Sequence, residues 1–333
     1  MKRNKILFLT LLGILIVSFL VVYLRLIYLP LNPSSTGEVV FRVEKGEGAK
    51  EIALNLEKNQ LIRDALMFRF YVLFKGIAGY LKAGDYRLSP AMNIPQIAEK
   101  MFKGDIIKEK IAIIEGWNIN DVAKELNSKL NADFKLTELK IADFQKEFSF
   151  LEDAPATASL EGFLFPDTYE IVSGTPLEEI VRKILSNFDK KLSSDLREEI
   201  KRQNKSIYEI VIMASLIEKE VRTKEDKELV SGILWKRLKA GMPLQIDATI
   251  SYLTGKKTAK ISIAETQIDS PCNTYKYPGL PIGPISNPGL ESILAAIYPQ
   301  ESNYWFYLST PDGKTIFSRT LEEHNLAKAT YLK

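Results

Sequence analysis

The stretch from Ile6 to Leu24, "ILFLTLLGILIVSFLVVYL", carries no charged residue, and it constrains this chain more than any other feature. At about 1.5 Å per residue, a helix of that length matches the hydrocarbon core of a bilayer. Lys2, Arg3 and Lys5 precede it. Positive residues stay on the cytoplasmic side, so residues 1–5 are expected there and everything after Tyr28 outside. A cleaved signal peptide is the alternative. Its apolar region is shorter and ends at a small-residue cleavage site, whereas this run passes into "RLIYLPLNPSS". The expectation is an uncleaved single-pass anchor over residues 6–28, with Arg25 reaching to the outer interface. In a bacterium the anchor lies in the cytoplasmic (inner) membrane and the working part faces the cell wall.

Beyond the anchor, composition mostly excludes. The 333 residues are long enough for two or three domains. Charged residues make up 26% with a net charge of +3 and no block of one sign, so nothing marks a nucleic-acid partner or a disordered tail. A single cysteine, Cys272, excludes an internal disulfide, and a single histidine, His324, excludes a His-rich metal cluster. The turn-rich "SPCNTY" around Cys272 speaks against a catalytic Cys/His pair. No metal or nucleotide motif is present, and no cofactor is expected.

"LPLNPSSTGE" marks a linker over residues 29–37. A strand, a turn and an apolar-Ala-x-x-apolar helix start then recur, with Ile52, Ala53 and Leu56, with Ile97, Ala98 and Met101, and with Val122, Ala123 and Leu126. The first two copies read as one βααβ module over residues 38–108. This module resembles a LysM domain through its topology and "GEGAKEIA", which implies contact with glycan strands containing N-acetylglucosamine; a plain spacer is the alternative. Residues 109–159 read as a connecting subdomain, helical over 112–150. Residues 160–333 read as a mixed α+β domain. Three amphipathic helices, loop-rich "MPLQIDATISYLTGK" and "SPCNTYKYPGLPIGPISNPG", and a hairpin turning at "TPDG" make it up. The fold class is thus α+β behind an N-terminal membrane helix.

Within this last region, "ASLIEKEV" sets two glutamates two residues apart in an apolar stretch. With Ile207 at zero and about 100° per residue, Val211, Ala214, Ile217 and Val221 fall between about 280° and about 40°. Glu218, at about 20°, lies inside that apolar arc, while Glu220, at about 220°, lies beside Glu209 toward the polar side. Glu218 is therefore the anomaly and Glu220 is ordinary. A half-buried carboxylate is costly unless paired or protonated. The structural alternative is an ion pair with Arg222 or Arg237; the functional one is a general acid kept protonated near neutral pH.

"ASLIEKEV", "VSGILWKRLKAGMPLQIDATISY", "CNTYKYPGLPIGPISNPG", "EEHN" and "EGFLFPDTY" together resemble the endolytic murein transglycosylase (YceG-like) family. The resemblance runs from the anchor to Lys333 and is strongest over about residues 160 to 325. It implies an inner-membrane lyase that cuts the MurNAc–GlcNAc bond inside nascent peptidoglycan strands. The product end is 1,6-anhydroMurNAc, and elongation stops. It implies Glu218 as the catalytic residue and association with peptidoglycan synthases. Glu161, Asp167, Gln245, Asp247, Asn273 and Tyr275 are candidate ligands for sugar hydroxyls or acetamides, though each also suits a turn or cap. Phe165 and Tyr169 are candidate stacking surfaces, with core packing the alternative. His324 and Asn325 fall in a family-like motif. Two other readings stay open. One is a hydrolase pairing Glu218 with Glu161, Asp167 or Asp247; the other is an anchored wall-binding protein without catalysis.

Overall fold

The computed structural model describes residues 2–256 and 261–332; the chain ends, Met1 and Lys333, lie outside them. Helix α1 (Lys2–Tyr28) opens the chain, and its Thr10–Tyr28 part is long and apolar enough to cross a membrane. Leu11, Ile14, Leu15 and Val17 on it are all more than half exposed. Two compact units follow from the packing, one up to Glu109 together with Ile171–Gly174, the other Lys110–Glu170 with the chain from Thr175 onward.

In the first unit, β1 (Val39–Val43) is followed by α2 (Ala49–Lys58) and α3 (Ala65–Phe74), then β2 (Gly84–Leu88) and α4 (Ile94–Lys103). β1 and β2 pair antiparallel, with Phe41 opposite Tyr86. The apolar triples read from the sequence face inward: Ile52, Ala53 and Leu56 on α2, and Ile97, Ala98 and Met101 on α4, are fully buried against Phe68, Tyr86 and Leu88. Each such large apolar side chain contributes about 1.5–3 kcal/mol through burial. A capping box between Asn93 and Gln96 starts α4, and Gly104, in the left-handed region, ends it. The foot of α1 belongs to this core. Ile27 is 1% exposed there, Arg63 Nη2 donates to the carbonyls of Pro30 (2.9 Å) and Leu31 (3.0 Å), and Asn32 N–H donates to the Pro90 carbonyl at 2.9 Å.

β3 (Lys108–Ala112), which pairs with β4 (Thr168–Val172), runs across the division into the second unit, where α5 (Ile119–Leu130) follows. The segment expected to be helical over 112–150 is helical only in α5. Asn131 stops that helix at φ 48°, and the Asn127 side chain then holds Phe134 N–H at 2.7 Å. Beyond it stand three single 3₁₀ turns, at Leu136–Glu138, Ile141–Asp143 and Ser149–Leu151. Phe144, just after the second turn, and Phe150, in the third, enter the core, and Phe150 stacks on Phe188 at 4.9 Å.

Then come α6 (Leu177–Lys191), α7 (Ser194–Arg202), α8 (Ile207–Glu220), α9 (Lys224–Lys239), α10 (Asp247–Thr254) and α11 (Leu290–Ile297). The hairpin β5 (Phe306–Ser309) and β6 (Thr315–Ser318) and helix α12 (Leu321–Tyr331) close the chain. The hairpin turns at "TPDG" as the sequence indicates, with Thr310 N–H donating to the Lys314 carbonyl at 2.8 Å. Helix α10 occupies a stretch read as loop: "DATISYLT" is too short for its period to show between a preceding Pro-containing loop and Gly255. Helix α8 is the centre of the unit. Every residue from Ile210 to Ile217 is buried, so it has no wet face along that length.

Candidate active site

A capping box between Ser206 and Glu209 starts α8, and Val221 leaves the helix in extended conformation right after Glu220. The last turn thus carries Glu218 to the edge of the core, with 8% of its side chain exposed. Its Oε2 accepts from the Ser292 hydroxyl at 2.7 Å and from Gly289 N–H at 2.9 Å, both at the start of α11. That helix end presents free N–H groups and the positive end of its dipole, which suits a carboxylate. Oε1 faces Lys227 Nζ at 3.4 Å, and Lys227 is itself 4% exposed on the first turns of α9. All three neighbours are donors, so each treats Glu218 as an acceptor.

The ion pair anticipated with Arg222 or Arg237 is made by Lys227 instead. Val221 turns the chain away, leaving Arg222 exposed, and Arg237 is drawn to Gln245, donating to its Oε1 at 3.1 Å. Lys227 is one of two lysines in "TKEDKEL", and which of them is buried has no signature in sequence.

Over the Glu218 side chain lies the turn after β3. Gly116 sits at φ 77° with room for a Cβ only 3.6 Å from Glu218 Cγ, and Lys219 Nζ donates to its carbonyl at 3.1 Å. Glu115, beside it, packs its carboxylate over Gly289: a Cβ at Gly289 would stand 2.0 Å from Glu115 Oε1. Among the described residues, that carboxylate has no hydrogen-bond or ion-pair partner. Partial burial, then the charge of Glu218, raises its pKa above the usual carboxylate range, and Lys227 opposes the shift. Sequence reasoning misses Glu115, since "IAIIEGWN" reads as a strand and turn with nothing out of place.

A second layer fixes these turns to one another. Asn287 accepts from Leu164 N–H at 2.9 Å, donates from Nδ2 to the Trp117 carbonyl at 3.0 Å, and from its backbone to the same carbonyl at 2.7 Å. Gly116 N–H donates back to the Asn287 carbonyl at 2.9 Å. Glu161 is 2% exposed at the start of α5 and accepts from Ile119 N–H (3.1 and 3.0 Å), Asn287 Nδ2 (3.2 Å) and Tyr252 hydroxyl (3.3 Å). Burial pushes its pKa up to about 8 against those donors. All these partners lie inside the protein. Glu161 therefore locks the turn carrying Glu115 to the one carrying Gly289, instead of facing a sugar.

The other candidates separate by exposure. Phe165 (4% exposed) meets Phe188 edge-on at 6.2 Å, and the Tyr169 hydroxyl donates to the Phe165 carbonyl at 2.6 Å, so both aromatic rings are core. Asn273 (1% exposed) staples its own loop, donating to the carbonyls of Thr266 and Ile268. Asp167 is exposed and accepts from Asn187 at 2.9 Å. Asn325 is exposed on α12. Gln245, Asp247, Tyr275 and His324 come together in one cluster with Glu220.

That cluster corrects the reading of Glu220 as an ordinary solvated residue. The Tyr307 hydroxyl donates to its Oε2 at 3.0 Å, and burial, with Asp247 adding to it, pushes its pKa up to about 7. The helix wheel assigns that side of α8 to solvent, but β5 and the start of α10 cover it. The Tyr275 hydroxyl donates to Asp247, Arg237 lies over the Phe306 ring at 5.7 Å, and Phe306 stacks on His324 at 5.3 Å. His324 is 9% exposed, and burial lowers its pKa. Gln245 holds φ 54°, uncommon for a residue with a side chain. No group of His, Cys, Asp and Glu among the described residues is arranged to hold a metal ion.

The sequence profile of the YceG-like family matches residues 41–330. The "Endolytic murein transglycosylase" of Bacillus subtilis (strain 168) is 32% identical over 316 residues, covering 91% of this chain and 87% of that protein. One of the same name from Streptococcus pneumoniae (serotype 2, strain D39) is 33% identical over 327 residues, covering 89% of this chain but 59% of the longer relative. The crystal structure of a putative YceG-like protein from Listeria monocytogenes superposes with a TM-score of 0.61 at 33% identity, covering 88% of this chain and 100% of that one. The profile match takes in both the paired β1–β2 region and the Glu218 turn, and this chain belongs to the YceG-like family.

Proposed function

We propose that this chain is a membrane-anchored lytic transglycosylase that cuts the MurNAc–GlcNAc bond inside nascent peptidoglycan strands, leaving 1,6-anhydroMurNAc ends and stopping elongation. The observation that carries the reading is Glu218: a carboxylate at the edge of the core, held by Ser292, Gly289 N–H and Lys227. The names of the relatives at 32% and 33% identity support it.

The bond asks for two proton transfers: the leaving oxygen needs a proton, and the muramic C6 hydroxyl must lose one as it attacks the anomeric carbon. Because the nucleophile belongs to the substrate, no water is consumed and proximity favours the attack. One carboxylate can serve both transfers in turn, whereas hydrolysis ordinarily needs a pair. Asp167, Gln245, Asp247, Tyr275 and Asn325 are the candidates left exposed or half-exposed for strand contact. Residues 38–108 serve as a LysM-like strand-binding module, residues 109–159 as a connecting segment and 160–333 as the catalytic region. Helix α1 is the single-pass anchor in the inner membrane, its N-terminus cytoplasmic, and peptidoglycan synthases are the proposed protein partners.

The test is product mass on intact strands. The parent should release anhydro ends, lighter by one water than hydrolytic ends, and Glu218→Gln should release none while still folding and binding strands. Ends carrying the added water, or cutting by Glu218→Gln, would sink the reading.

A further inference from the structure

Helix α3, "ALMFRFYVLF", is apolar nearly all round, yet only one side of it meets the core of the first unit. Ala65, Phe68 and Val72 are buried there. At about 100° per residue, Leu66, Phe70, Leu73 and Phe74 gather on an arc about 100° wide on the opposite side. All four are more than half exposed, Phe74 at 86%. Single apolar residues on a surface need no explanation, but a contiguous stripe marks a face that something covers. A helix apolar on both sides belongs in a core or in lipid.

The neighbour of the stripe indicates what covers it. Helix α3 packs on α1, and Tyr71 lies within electrostatic reach of Tyr23 and Tyr28. Met67 and Tyr71 carry the apolar surface round α3 from the stripe toward α1, whose Tyr23 packs on the same core. The charge-free run of α1 ends at Leu24, so the outer edge of the hydrocarbon falls beside Tyr23, with Arg25 and Tyr28 among the headgroups. Arg63 Nη2 donates to the Pro30 carbonyl at 2.9 Å and Asn93 Nδ2 to the Tyr28 carbonyl at 3.3 Å, so α3 is held at that level. Arg69 flanks the stripe, Lys75 follows it, and no acidic residue lies on α3 beyond its Asp64 cap.

We propose that the exposed face of α3 lies in the outer leaflet of the bilayer that α1 spans, at the boundary between headgroups and acyl chains. The proposal rests on the reading of α1 as the anchor. Ten residues cannot cross a bilayer, which takes about twenty, so α3 lies along the surface. Phe70, Leu73 and Phe74 enter the tops of the acyl chains, and Arg69 and Lys75 reach up to lipid phosphates. The first unit is thereby held by two membrane contacts, one spanning and one interfacial. Any glycan strand it binds has to meet a face other than this one.

The test keeps the full chain. Val17→Cys, Phe70→Cys and Phe74→Cys, each with Cys272→Ser, carry a nitroxide in phosphatidylcholine–phosphatidylglycerol nanodiscs holding one chain each. Collisions with oxygen, which concentrates in lipid, are compared with those of a water-soluble nickel chelate. Labels at 70 and 74 should lie about 5–10 Å inside the headgroup–acyl boundary, the depth of an interfacial helix. The label at 17 should read deep hydrocarbon. Phe70→Asp combined with Phe74→Asp should move a label at position 73 into water. The melting temperature should stay at the parent's, since neither ring is part of the core. A label at 17 in lipid with those at 70 and 74 in water overturns the docking and leaves the anchor standing. A label at 17 in water overturns the anchor, and the docking with it. Labels at 70 and 74 shielded from both reagents mean that protein covers the stripe, which overturns the proposal. Shielding that appears only in discs holding two chains does the same, with a second copy as the occupant. A label at 73 that stays in lipid in the double variant also overturns the role of the stripe.

Discussion

Two glutamates separated by one lysine end up in different chemical company, and the reason lies in how α8 is packed. The helix wheel places Glu218 correctly at the apolar edge because it asks only which residues share an arc. It misplaces Glu220 because it assumes a wet side, and α8 is buried from Ile210 to Ile217. Glu115 is illegible for a different reason: a glutamate after a strand is unremarkable until a distant glycine is seen beneath it. That contact makes the first prediction. Gly289→Ala should displace the Glu115 carboxylate and disturb the N–H that holds Glu218. Activity on strands should fall by about 10- to 100-fold, within the reach of lost positioning, as rate assays beside melting curves will read. Glu161 offers a second, in stability. Its pKa is about 8 in the fold against about 4.5 unfolded, so the chain favours the protonated group. That contribution is full below pH ~4.5, declines above it, and is gone once the pH passes about 8. Glu161→Gln, which cannot ionise, should therefore gain stability relative to the parent between pH 5 and pH 9. A melting difference independent of pH would refute this.

Elements are legible where the sequence speaks in periods and caps, and illegible where contact between distant segments decides. The triples on α2 and α4 and the "TPDG" hairpin follow from apolar spacing and turn chemistry. Helix α10 and the 3₁₀ turns after α5 do not, because eight residues or three hold too little pattern. Glycine inside α9 is an instructive case between the two. At Gly232 the helix would gain about 1 kcal/mol from alanine by intrinsic propensity. But a Cβ there would stand 1.9 Å from the Gln300 carbonyl oxygen, a backbone atom tied in place by Gln300 N–H donating to Glu228 at 2.9 Å. Gly232→Ala should therefore destabilise the protein by about 1–3 kcal/mol, as overpacking does. A denaturation midpoint at or above the parent's would show that propensity wins.

For the molecule as a whole, the charge-free run and the family motifs are plain in the amino-acid sequence, because a bilayer and a reaction each demand a residue type at a fixed place. The joint between α1 and the first unit is not. "LPLNPSS" has the composition of a loose linker, yet Arg63 clasps Pro30 and Leu31, and Ile27 is sunk in the core beside them. With α1 in a bilayer as proposed, such a joint transmits torque. An apolar helix longer than the local hydrocarbon is thick relieves the mismatch by tilting, and here the first unit must lean with it. Lipid thickness then sets the attitude of that unit toward the wall. Spin labels on α2 should report orientations that change between thin and thick nanodiscs, and six Gly/Ser residues inserted after Leu31 should abolish the dependence. A stepped mast heels with its hull; a rope does not.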